Sequence, residues 1–153
     1  MERVWIYQSN RLLTDAECVR VREILQEFVQ QWTAHGNQLY GSFEIRYNLF
    51  IFLKVDESKA MVTGCSIDKS VHLLKKIEKE LQINLFDRLQ IAYRAQNTNT
   101  INIVSRDDFE RLIQAGEVNE DSIVYNNMLT ETSELDTKWE VPLRDSWHAK
   151  VFL

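Results

Sequence analysis

Two side chains here have the chemistry of a nucleophile and a base, and each sits beside a glycine. Cys65 lies in Gly64-Cys65-Ser66-Ile67-Asp68-Lys69-Ser70, where strand-like residues give way to a polar-capped helix, and His35 precedes Gly36. A thiol at a helix start meets unpaired N–H groups and the positive end of the dipole, which favour the thiolate. His35 is then the candidate base. His72 is excluded, because seven residues of helix separate it from Cys65 by about 10 Å. The competing reading makes Cys65 a small buried residue and His35 a cation suited to the negative end of the preceding helix.

The same stretch supports a second chemistry. Gly64, Ser66 and Ser70, with Lys69 beside them, could hold a phosphate or carboxylate on free N–H groups. Asp68 in the first turn opposes this, since it would repel the anion and more simply satisfies the dipole. Trp32 joins this candidate ligand-binding set from the end of the first helix. Gly36 to Ser42 has the glycine spacing of a P-loop, but it lacks the lysine and precedes a strand, so it is not a nucleotide loop. Cys18, Cys65, His35, His72 and His148 show no paired zinc spacing, and Asp68/His72 at i and i+4 reads as a surface pair. No metal and no cofactor are expected.

The elements that position these groups follow from periodicity. Val4 to Gln8 alternates as a first strand. Thr14-Asp15-Ala16-Glu17 is a capping box, and the stripe Cys18, Val21, Leu25, Phe28, Val29, Trp32 continues the helix until Gly36, placed to end it in the left-handed region. Ser42 to Tyr47 alternates with one wet face, as an edge strand does. Leu49 to Val55 is apolar on both faces, as an interior strand is, with Tyr47-Asn48 as the tight turn between them. A second helix opens at Gly64 to Ser66, and Gln90 to Gln96 reads as the other edge strand.

That order predicts an α+β fold, a ferredoxin-like (split βαβ, βαββαβ) antiparallel sheet of strand order 4-1-3-2. Helices would cover one face over residues 1–96, and an acidic α/β extension over 97–153 would pack on that core within a single domain. In this topology His35 to Tyr40 and Asp56 to Cys65 lie at the same end of the sheet. The fold also places Trp5, Tyr7, Phe50 and Phe52 in its central strands, where RNA-recognition modules stack bases, with Arg46 and Arg94 to flank them. Rings buried beneath the extension are the alternative.

Composition narrows the function classes. Lys and Arg total 18 against 23 Asp and Glu, a net charge of −5. The imbalance lies in residues 97–153, with 5 basic against 11 acidic residues. No basic footprint for nucleic acid or an anionic membrane results. No apolar run approaches a membrane span, and two cysteines make no disulfide framework, so a cytoplasmic protein with reduced thiols is expected.

Val4-Trp5-Ile6-Tyr7-Gln8-Ser9, Gln31-Trp32-Thr33-Ala34-His35, Arg46-Tyr47-Asn48, Gly64 to Ser70 and Phe86-Asp87-Arg88-Leu89 together resemble a small uncharacterised bacterial family of about this length. Its members are often labelled ABC-transporter ATPases. That label implies a P-loop and a transporter signature; neither occurs here, so the resemblance carries over no nucleotide-binding residue. The expectation is a small binding or assembly protein without catalytic activity, its partner an unknown small ligand, another protein or a second copy of itself. The alternative is a cysteine-dependent enzyme or redox protein using Cys65 with His35.

Overall fold

Thr14 starts the first helix as its sequence demands: its hydroxyl accepts from the Glu17 N–H at 3.1 Å while the Glu17 carboxylate accepts from the Thr14 N–H at 2.9 Å. The resulting helix α1 (Asp15–Gln31) buries Cys18, Val21, Leu25 and Val29. The computed structural model describes all residues 1–153. They form an α+β protein with antiparallel sheets, divided into a unit of Met1–Phe86 with Thr130–Thr132 and a unit of Asp87–Leu129 with Ser133–Leu153.

In the first unit, strands β1 (Glu2–Gln8), β4 (Gly41–Arg46) and β5 (Phe50–Asp56) form a sheet of order β1-β5-β4. The apolar run is central and the half-wet strand is an edge, as expected. Tyr47 and Asn48 both take positive φ, 56° and 52°, the requirement of a primed hairpin turn. Asn48 fixes that turn to the start of α1, its side-chain N–H donating to Leu13 O at 3.1 Å and to the Asp15 carboxylate at 2.9 Å. α1 and helix α2 (Gly64–Leu81) cover one face, packing on Tyr7, Ile51, Leu53 and Val55.

Helix α1 ends before Gly36. Thr33–Ala34 (β2) pairs with Asn37–Gln38 (β3) in a small hairpin, with His35 and Gly36 at its tip at φ 50° and 77°. Gly36 is left-handed as expected, but it serves the hairpin. The Gln38 side chain does the capping instead, donating to Val29 O at 3.2 Å and Trp32 O at 3.0 Å.

The ferredoxin-like expectation requires correction. Residues 90–94 (β6) do not flank β1. They pair with Ile101–Ser105 (β7) and with Ile123–Tyr125 (β8), which pairs with Glu140–Pro142 (β9), giving the order β7-β6-β8-β9. The expected outer strand is therefore interior to a second sheet, and the boundary falls at residues 86–87 in place of 96–97. Two physical reasons account for this. A short connection makes the β6–β7 hairpin cheap in closure entropy, and the outer edge of β1 is taken by the returning chain, where Thr130 O accepts from the Val4 N–H at 2.9 Å and Arg3 bridges to Glu131.

The second unit also contains helix α3 (Arg106–Gln114), whose cap is the Ser105 side chain, and the short helices α4 (Leu135–Lys138) and α5 (His148–Phe152). Its core gathers Ile91, Tyr93, Phe109, Val118, Val124 and Leu143. His148, 3% exposed, shares a 2.7 Å hydrogen bond with the Ser146 hydroxyl and lies under the Trp147 ring. Burial lowers its pKa to about 4.

Two predictions follow from this packing. A Cβ on Gly41 would meet Trp32 Cε3 at 3.1 Å, and Trp32 is too buried to yield, so Gly41→Ala should destabilise by about 1–3 kcal/mol in urea titrations; an unchanged midpoint would show that Trp32 moves. His148 is depressed in the folded state, so its contribution is complete above its unfolded pKa of about 6.5 and is lost as pH falls toward about 4. The total loss is about 3 kcal/mol by that shift. His148→Gln should lose less stability than wild type between neutral pH and about pH 5; parallel losses would place the titration elsewhere.

Candidate functional site

The end of the first unit that collects the sequence candidates is held by Trp32. Its ring is 1% exposed, packed near Phe28 and Trp5 at centroid distances of 4.9 and 6.2 Å. Its indole N–H donates to Ser66 O at 2.8 Å. The Asp56 N–H donates to Tyr40 O at 3.0 Å. The two loops expected to be neighbours are neighbours.

No hydrogen bond joins their side chains. Cys65 is exposed at the second helical position, so its reading as a buried packing residue is corrected. His35 is exposed at the hairpin tip, and neither side chain makes a hydrogen bond.

The anion-binding candidates are committed to the helix itself. The Thr63 hydroxyl accepts from the Ser66 N–H at 3.2 Å, and the Ser66 hydroxyl accepts from the Thr63 N–H and donates to Thr63 O, both at 2.8 Å. The Ser70 hydroxyl donates to Ile67 O at 2.6 Å. Ser66 and Ser70 are buried, while Gly64, Asp68 and Lys69 are exposed. Buried Trp32 presents no face to a ligand.

The stacking platform is also corrected. Register pairs Trp5 with Leu53 and Ile6 with Phe52, so Trp5/Tyr7 and Phe50/Phe52 face opposite sides of the sheet. Tyr7, Phe50 and Phe52 are buried.

A concave site lies away from the residues that the sequence singles out at the start of α2. In the second unit, an open cleft of about 380 Å³ is lined by Arg94, Gln96, Asn99, Asn119, Asp121 and Ser122, among others. The Tyr93–Val124 pairing sets its two walls side by side. One wall is the β6–β7 turn, where Asn99 takes φ 55°. The other is an Asx turn: the Asn119 side-chain oxygen accepts from the Asp121 N–H at 2.9 Å, and the Ser122 hydroxyl accepts from the Asn119 N–H at 2.9 Å.

The charges lining the cleft are paired. Arg94 donates to the Glu140 carboxylate at 2.7 Å and more loosely to Asn99 O at 3.3 Å, and Asp121 pairs with Arg144. What remains is a neutral, amide-rich wall. Of these residues, sequence reasoning singled out Arg94, for another role.

No group of three or more His, Cys, Asp or Glu side chains is placed to hold a metal ion, and no helix is long and apolar enough to cross a membrane. Compared with known proteins, the chain matches no family model, no curated protein and no solved structure.

Exposure predicts which thiol reacts. Iodoacetamide should modify Cys65 in the folded protein and Cys18, which is buried with its pKa raised by that burial, only on unfolding. His35→Ala should leave the Cys65 rate unchanged; a several-fold drop in that variant would revive the nucleophile–base reading.

Proposed function

We propose that this chain is a small non-catalytic binding protein whose ligand occupies the cleft between the Ala95–Asn99 and Asn119–Ile123 segments. The observation that carries this reading is the cleft itself. It has the size of a small-ligand site, and amides and a serine line it between ion pairs whose charges already cancel. A neutral, hydroxyl- or amide-bearing molecule suits such a wall, because a charged ligand would have to break one of those pairs or be desolvated without a partner. The two free cysteines agree with a reducing, cytoplasmic setting. The cysteine-enzyme reading keeps its exposed thiol but lacks a base in hydrogen-bond reach, which general-base activation requires.

Amide chemical-shift mapping with a panel of neutral sugars, polyols and primary amides tests this directly. Shifts should concentrate at residues 94–99 and 119–123, and Asn99→Gly, which suits the positive φ there, should weaken binding several-fold. Cys65→Ser should leave it intact. Hits that map elsewhere, or no saturable shift from any compound of the panel, would remove the proposal.

A further inference from the structure

The two main sheets present four outer edges, and three carry a recognisable guard. An unpaired strand edge is a template for another chain, and proteins blunt it with charge, proline, short length or a covering segment. On β1, the chain itself covers the edge through Thr130 and Glu131. On β4, Glu44 is bonded to Arg46 at 2.8 Å and to Lys54 at 3.2 Å, so charges line the strand. On β9, the strand is three residues long and ends in Pro142.

β7 has no such device. Ile101-Asn102-Ile103-Val104-Ser105 pairs with β6 on one side and with no strand on the other. Apart from Ser105, which caps α3, its backbone makes no hydrogen bond beyond that ladder. From Ala95 to Ser105 the sequence holds neither a charge nor a proline, and three of the five strand residues are β-branched, the composition that pairs strand on strand. Asn102 is exposed, and Ile101 and Ile103 are half-buried.

We propose that β7 is the seam of a symmetric homodimer, in which the β7 strands of two copies pair antiparallel about a two-fold axis at Ile103. Ile101 then faces Ser105, Asn102 faces Val104, and no like charges meet. The flanking charges select this direction. α3 opens directly after β7 with Arg106, Asp107 and Asp108; parallel pairing would set both acidic starts side by side. Antiparallel pairing sets each against the uncharged Asn97–Thr100 turn of the other copy and holds the two starts about 20 Å apart by strand rise. A second copy satisfies these constraints with one surface, as a two-fold interface requires.

The experiment uses the residue on the axis. Ile103→Lys and Ile103→Asp each place a charge opposite itself, so each purified variant should sediment as a monomer where wild type sediments as a dimer. Mixed in equal amounts, they should form a heterodimer, because lysine then faces aspartate. Ile103→Cys in a Cys65→Ser background should cross-link to a covalent dimer on mild oxidation, since directly opposed residues lie within disulfide reach. A wild type that stays monomeric up to millimolar concentration overturns the proposal. So do single variants that remain dimeric, or a failed Ile103→Cys cross-link in a protein that is dimeric. Shift mapping of the cleft in the Ile103→Lys monomer reports on ligand binding independently of association.

Discussion

The hydrogen bond from the Trp32 indole to Ser66 O constrains more of the first unit than any other single contact. An indole N–H buried without an acceptor costs about 1–3 kcal/mol, and this ring is almost wholly enclosed. The acceptor is a carbonyl in the first turn of α2, whose two lone pairs can serve the helix and the indole together. Satisfying Trp32 therefore fixes where α2 begins relative to the end of α1. It also explains why β4 starts on Gly41, whose missing side chain leaves room for the ring. Where α1 stops, where β4 starts and where α2 is capped are three aspects of one packing problem.

That constraint bears on function as well as fold. The polar residues at the start of α2 have the composition of an anion cradle, yet Thr63 and Ser66 satisfy one another and Ser70 returns its proton to the helix backbone. A hydroxyl serves a ligand or a backbone group, and here the backbone has it. Glu17 shows the same economy at the other end. Arg11, bonded to Glu17 through two 2.8 Å contacts and to Leu81 O at 2.8 Å, holds that carboxylate down to about 2 while tying the start of α1 to the end of α2.

Local rules were legible in the sequence wherever the structure is set by local physics. The Thr14/Glu17 capping box, the Tyr47-Asn48 turn and the interior character of Leu49 to Val55 all follow from short-range chemistry. What could not be read was partnership. Residues 90–94 alternate equally well beside β1 or beside β7, and only the return of Thr130–Thr132 to β1 makes the choice visible. Faces were lost for a related reason. A shift of one residue in register moves a side chain across the sheet, so whether Trp5 shares a side with Phe52 depended on the long-range register of β1 on β5. The cleft was hidden in the same way: the Tyr93–Val124 pairing that sets its two walls side by side is a tertiary fact.

The charge distribution links the two ends of the β6–β7 hairpin. Residues 97–153 carry 11 of the 23 acidic side chains, yet none falls within 97–105. The segment that turns past Asn99 and returns as β7 carries amides, hydroxyls and β-branched side chains where its neighbours carry carboxylates. Amides can be taken out of water against a neutral partner at a few kcal/mol or less if their hydrogen bonds are remade, whereas a carboxylate needs a cation to go with it. A neutral run inside an acidic region is therefore a stretch that can be covered cheaply. In this hairpin it supplies one wall of the open cleft and the one edge of the two main sheets without a guard.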